Sequence, residues 1–224
     1  MNNAAPDRSS LILPARQPRS LARQTGIIHA GLELLKTRSF EELTMEQMAK
    51  HADCSVGTLY KHFRNKAALL QVLTDAAISE IFEVMERNIT EGIGADDTFE
   101  AALRSIVEFL VDLFRRRQSL LREVFHRQYS NREVMGKLKA TRSQIVGVAL
   151  AKTLPLRPLG FSEAEYGRKF RIGMQMAVGT LNNAVQTNPG PLTLDDDEFI
   201  NELSGMLLAY IQPVGMPSQH PTIR

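Results

Sequence analysis

Thr44-Met45-Glu46-Gln47-Met48-Ala49-Lys50-His51-Ala52-Asp53-Cys54-Ser55-Val56-Gly57-Thr58-Leu59-Tyr60-Lys61-His62-Phe63 is the stretch that decides how this chain folds. It reads as a short helix, a tight turn and a second short helix. Thr44 with Gln47 three residues later has the pattern of a capping box, and Met45, Met48 and Ala49 give the first helix a buried side. Asp53-Cys54 makes the turn, and Ser55 is a good N-cap for the second helix. At ~100° per residue, Leu59 and Phe63 fall together as core anchors, while Gly57, Thr58, Lys61 and His62 lie opposite. Two helices this short bury little alone, so the pair must rest on neighbours. A small, cationic, hydrogen-bonding face on a protruding helix suits the major groove of DNA.

Working outward, the apolar spacing predicts a preceding helix from about Ser20 to Lys36, with Ile27, Ile28, Leu32, Leu34 and Leu35 as its core positions. Asn65 caps a fourth, long helix through about Asn88. Further helical patterns follow at about 98–116, 120–129 and 133–154. Ser162 caps another to about Thr187, and Asp195 begins the last, to about Ile211. There is no strand alternation beyond Gly94, no internal repeat and no low-complexity segment. The reading is all-α, about nine helices.

The 224 residues allow one large or two small domains. With 43% hydrophobic residues, 6% aromatic and no Trp, the composition suits a Leu/Ala/Met-packed helical protein better than a β-sandwich. Cys54 is the only cysteine, which excludes an internal disulfide and fits a reducing cytoplasm. No apolar run approaches the ~18 residues of a membrane span. The net charge of +2 hides an asymmetry: residues 1–70 carry 10 Lys and Arg against 6 Asp and Glu. The positive excess therefore sits with the paired short helices, where it would attract a polyanion. The Pro-rich start, with Arg8, Arg16 and Arg19, reads as a disordered basic tail that could track phosphates or a minor groove.

Residues 23–70 resemble the N-terminal DNA-binding domain of the tetracycline-repressor (TetR) family. The likeness runs without a gap through Arg23, Ile27, Ala30, Phe40, Leu43-Thr44, Met48-Ala49, Ala52, Ser55, Gly57-Thr58-Leu59-Tyr60, Phe63, Lys66 and Leu69-Leu70. Three positions depart from the pattern. Ser39 stands where a Gly usually follows the first helix, and Asp53-Cys54 replaces the usual Gly-Val of the turn. Asp tolerates a left-handed backbone and Cys fills a small apolar slot, so the motif survives. The resemblance implies a helix-turn-helix domain at 20–66, between a basic tail at 1–19 and a helical regulatory and dimerisation domain at 67–213. A flexible tail at 214–224 follows.

The DNA-binding residues expected on this footing are Thr44, Ser55, Val56, Gly57, Thr58, Tyr60, Lys61, His62 and Lys66. The helical wheel alone would bury Val56 and Tyr60; the resemblance places both at the protein–DNA rim. Gly57 allows close backbone approach, Thr58 suits a base edge or a thymine methyl, and Val56 a methyl only. Lys61 can reach a guanine edge or a phosphate, and the remaining polar side chains suit phosphate oxygens.

One such helix reads only a few base pairs, so a homodimer on a palindromic operator is expected. The apolar stripes carrying Gly173, Ala177, Leu181, Ala184, Leu203, Leu207 and Tyr210 would supply its interface by resemblance, or else complete the monomer's own core. The resemblance also implies a small hydrophobic effector among the middle helices. Candidate lining residues are Phe109, Phe125, His126, Tyr129, Tyr166, Phe170, Met174 and Asn182, although aromatic residues and Met at helical spacing are more often plain core. Arg115-Arg116-Arg117 with Arg122 could meet an anion, but helix-end cations need no ligand. Asp195-Asp196-Asp197-Glu198 sits at a helix start, where acids are stabilising anyway.

No cofactor, metal site or catalytic residue is expected. The five histidines lack metal-ligand spacing, and neither a nucleophile elbow nor a phosphate-binding Gly-rich loop is present. The function so read is a cytoplasmic transcriptional repressor released by its effector. The alternatives are an activator, or a repressor whose C-terminal half only dimerises. A helical-bundle enzyme is the remote one.

Overall fold

The computed structural model describes residues 18–39 and 42–212, and for residues 127–130 the backbone alone. Phe40, most of the basic tail with Arg8 and Arg16, and the 214–224 tail lie outside the described residues. Nine α-helices occur among those described: α1 Pro18–Leu34, α2 Met45–His51, α3 Val56–His62, α4 Lys66–Gly92, α5 Phe99–Arg116, α6 Gln118–Ser130, α7 Arg132–Thr153, α8 Glu163–Gln186 and α9 Glu198–Ile211. The chain forms two compact units. One takes residues up to Val84 with Arg117–Arg142; the other takes Met85–Arg116 with residues from Ser143 onward.

Helix boundaries follow local chemistry. α1 starts at Pro18, two residues before the expected Ser20, because a proline in the first helical position loses no hydrogen bond. Arg19 is therefore helical and not part of a tail. Asn65 caps α4, its Oδ1 accepting from Ala68 N at 2.8 Å. At α8, Ser162 and Glu165 form a reciprocal capping box. α9 begins at Glu198, three residues after the expected Asp195. The reason is Asp196, whose carboxylate accepts from Thr193 N at 2.6 Å and closes a turn there.

The first unit is built around Ile27, Leu35, Leu43, Met48, Leu59, Phe63, Leu69 and Leu73, all essentially without solvent contact. Its core continues past residue 66 along α4 through Ala77 and Ile78, and takes in Leu120, Val124 and Val134. Polar links hold α4 to the segment that follows Arg116. Arg117 meets Glu80 at 2.5 Å, Lys137 pairs with Asp75, and Asn131 Nδ2 donates to Gln71 Oε1 at 2.9 Å.

In the second unit α9 packs on both α5 and α8. The stripe expected to face a partner instead closes this unit's own core. Ala177, Leu181 and Leu207 are fully buried in the single chain, and Ala184 and Leu203 nearly so. Gly173 lets α9 approach, since a Cβ there would lie 3.2 Å from Leu207 Cδ2. Tyr210 is half-buried, its carbonyl accepting from Lys169 Nζ at 2.8 Å. Apolar residues at helical spacing require burial but do not say against what. Here the cover comes from the same chain.

Candidate nucleic-acid interface

The α2–α3 junction is fixed by backbone chemistry. Thr44 accepts from Gln47 N at 3.2 Å while Gln47 Oε1 accepts from Thr44 N at 3.1 Å, the reciprocal box that the sequence predicts. α2 ends in a Schellman turn: Cys54 N donates to Ala49 O at 2.9 Å and Asp53 N to Lys50 O at 3.3 Å. Asp53 occupies the left-handed position at φ 48°, which glycine usually fills. Arg23 on α1 reaches across, its Nη1 3.2 Å from Asp53 O and 3.4 Å from Ala52 O. That guanidinium satisfies two carbonyls at the negative end of α2, where a cation is favoured. Sequence reasoning gave Arg23 no role; a strained non-glycine turn is the only signal that could have pointed to a stabilising donor.

Ser55 then caps α3, its Oγ accepting from Thr58 N at 3.1 Å and lying 2.9 Å from Thr58 Oγ1. Leu59 and Phe63 are the fully buried anchors. Among the candidates, Thr44, Ser55, Gly57 and Lys61 are exposed, and Tyr60 is 49% exposed at the rim, against the wheel's prediction of burial. Thr58 and Lys66 are half-buried. Val56 is also half-buried and packs against the core, so the wheel describes it better than the rim does.

His62 does not lie on the outward face: it is only 7% exposed. It is the last residue of α3, and the chain leaves the helix there through extended Phe63. Its ring centroid lies 6.4 Å from that of Phe63. Burial, with help from the cations Arg23 and Lys61, pushes its pKa below the ordinary 6.5. A phosphate contact needs an accessible, readily charged ring, so His62 is a poor one. Burial pushes the neighbouring Cys54 thiol up from its ordinary value, which makes it a packing group rather than a nucleophile.

The effector candidates divide between the two units. Phe125 is buried in the first, His126 is exposed there, and Tyr129 has no described side chain. In the second, Phe170 and Met174 are core residues. Tyr166 is fully buried, its ring edge-on to Phe99 at 5.8 Å and 5.7 Å from Phe170. Its hydroxyl lies beside Thr153, whose Oγ1 donates to Ala149 O at 2.9 Å and keeps lone pairs to accept from the phenol. Burial pushes that phenol up to about 12. Phe109 borders an open cleft of about 350 Å³ between the end of α4 and α5, with Ile89, Ile93 and Ser105. Asn182 is half-buried and accepts from Gln186 Nε2. The arginine run is spent on structure: Arg115 holds the carbonyls of Leu194 and Asp196, Arg116 pairs with Asp112, and Arg117 with Glu80.

A rigidly capped, protruding second helix on a three-helix support defines a helix-turn-helix transcriptional regulator that binds DNA. Residues 27–73 match the family model described as bacterial regulatory proteins, tetR family, and residues 98–211 match the tetracyclin repressor-like C-terminal domain. The chain belongs to the TetR family, whose members are transcription regulators and not enzymes. It is 41% identical to the class G tetracycline repressor protein of Vibrio anguillarum over 54 residues, 24% of this chain and 26% of that one. It is 23% identical to the fatty acid metabolism regulator protein of Bacillus subtilis over 161 residues, 72% of this chain and 80% of the relative. A tetR-family transcriptional regulator from Streptomyces coelicolor shares the fold with TM-score 0.60 and 15% identity, over 84% of this chain and 81% of that one. Among the described residues no helix is long and apolar enough to cross a membrane.

Proposed function

We propose that this chain is a homodimeric, cytoplasmic repressor that binds a palindromic operator and is released by a small hydrophobic effector. The observation that carries the DNA reading is the outward face of α3, where Gly57, Tyr60 and Lys61 are open above a locked pair of core anchors. Thr58 shares that face, while Thr44, Ser55 and Lys66 supply phosphate contacts. Two copies are needed because one such helix spans too few base pairs to select a genomic site. The α8 and α9 faces turned away from the core carry Met176, Gly179, Thr180, Gly205, Met206 and Ala209, all exposed in the single chain. These, rather than the buried stripe, would meet the partner. Small residues admit close helix approach, and methionines adapt to it.

The effector reading rests on Tyr166. Its buried hydroxyl, beside Thr153 and ringed by Phe99 and Phe170, is the polar group that a bound apolar molecule would meet there. The relative named for fatty acid metabolism makes fatty acyl compounds the first class to screen. The test is a mobility-shift and footprint assay on the DNA upstream of the chain's own coding sequence. Protection of a palindrome by a dimer, lifted by a compound that also raises Tm, is the expected result. Absence of any protected palindrome counts against local autoregulation. Protection that no compound lifts removes the effector while leaving the operator.

A further inference from the structure

We propose that the operator half-site presents keto edges to α3: a thymine read through the Thr58 methyl, and a guanine one or two base pairs away read by Lys61. The inference deepens the DNA reading above and rests on it. The Thr58 hydroxyl is committed to the cap, 2.9 Å from Ser55 Oγ, while the same oxygen accepts Thr58 N at 3.1 Å. With the hydroxyl turned toward Ser55, the methyl is the Thr58 group that no cap bond holds, while the oxygen keeps a spare hydrogen-bonding site. Val56 is turned against the core and Gly57 has no side chain, so neither competes for that contact.

Lys61, one turn further on, has three donors and no acceptor, and guanine, with both O6 and N7 as acceptors, is the base that suits it best. Apart from the Thr58 and Tyr60 hydroxyls, α3 carries no amide or carboxylate to accept from the amino groups of adenine or cytosine. The nearby amides are occupied, Gln47 in the α2 capping box and Asn65 at the start of α4. A three-residue step along a helix rises ~4.5 Å, little more than one base-pair step, which places the two bases close together.

The probe is the duplex that the full chain selects from a random pool, rebuilt with uracil for thymine or 7-deazaguanine for guanine at one position at a time. Uracil at one half-site position should weaken the wild type roughly fourfold per half-site, the value of one buried methyl. Thr58→Ser, which keeps the hydroxyl pair and loses the methyl, should bind both duplexes alike. 7-Deazaguanine should weaken the wild type about fivefold or more and leave Lys61→Met unchanged. Uracil tolerated everywhere, a thymine preference retained by Thr58→Ser, or sensitive positions more than three base pairs apart would each overturn the inference while leaving DNA binding intact. Failure to select any duplex would remove both. A far-UV circular dichroism spectrum and a thermal melt matching the wild type verify that Thr58→Ser is folded.

Discussion

Gly31 on α1 stands so close to Leu73 on α4 that a Cβ there would lie 2.5 Å from Leu73 Cδ2 and 3.0 Å from Met48 Cε. Leu73 has no solvent contact and Met48 almost none, so neither can yield without moving the core. Ala is ordinarily the better helix former, by about 1 kcal/mol. At this position overpacking wins: Gly31→Ala should destabilise the fold by roughly 1–3 kcal/mol in urea denaturation. Leu73→Val placed in the same variant should recover part of the loss. A neutral or stabilising Gly31→Ala would contradict the packing.

Gly57 presents the opposite case. A Cβ there would meet nothing nearer than Ser55 Oγ at 3.7 Å, so the fold does not need a glycine. Gly57→Ala should stabilise the isolated protein by about 0.5–1 kcal/mol, read as a rise in Tm. Its affinity for the selected duplex should nevertheless fall, because the added methyl would stand between helix backbone and groove. Stability and DNA binding moving in the same direction would show that the glycine serves the fold after all.

The helix caps were legible because their signals are local. Thr44 with Gln47, Ser55, Asn65 and Ser162 each act within three residues and each forms its cap, Ser162 with Glu165 as an added partner. The core anchors Leu59 and Phe63 were legible for the same reason. Expected among the outward residues, His62 at ~100° per residue stands only about 60° from Leu59, so its burial follows the helix geometry. Readings that needed a neighbour were less secure. The α8 and α9 stripes announced a buried face without naming its partner. The contact from Arg23 to the α2–α3 turn spans thirty residues and leaves no periodic trace.

His62 makes the fold sensitive to pH. Its folded pKa is lowered from 6.5 by burial, then by Arg23 and Lys61, so the unfolded chain takes up the proton first as pH falls. The stabilising contribution is present above about pH 6.5 and disappears as pH drops through the folded pKa. His62→Gln should flatten the decline in Tm between pH 7.5 and 5.5. The carboxylates of Glu33, Glu165 and Asp196 also have lowered pKa values, from 4.5, 4.5 and 3.8, held down chiefly by bonds from Lys36, Ser162 and Thr193. Any loss from them falls at lower pH, outside that window. An unchanged slope in His62→Gln would assign the acid sensitivity elsewhere.

Lys66 should act on affinity without acting on choice. It opens α4, whose first residue follows the last of α3 by four, at a helix N-terminus of the kind that favours phosphate. Lys66→Ala should weaken all duplexes alike and lower the salt slope by about one ion. Titrations at four salt concentrations, on selected and scrambled duplexes, separate the two effects. A change in sequence preference would move Lys66 into the base-reading set.

The ion pairs should differ by burial. Arg117 and Glu80 are 19% and 33% exposed at the side chain, and Arg117 Nη1 is buried without a partner. Arg104 and Glu108, at 50% and 46%, form an ordinary surface pair along α5. Glu80→Gln strips the charge facing a largely dehydrated guanidinium and should cost roughly 1–3 kcal/mol, whereas Glu108→Gln should cost under about 1 kcal/mol. Double-mutant cycles with Arg117→Met and Arg104→Met give the coupling in each case. The first should persist at 1 M salt, since water and ions have little access to it, and the second should vanish. Equal couplings, or a first pair screened as readily as the second, would mean that Arg117 is solvated in solution and that its pairing contributes little to holding α4.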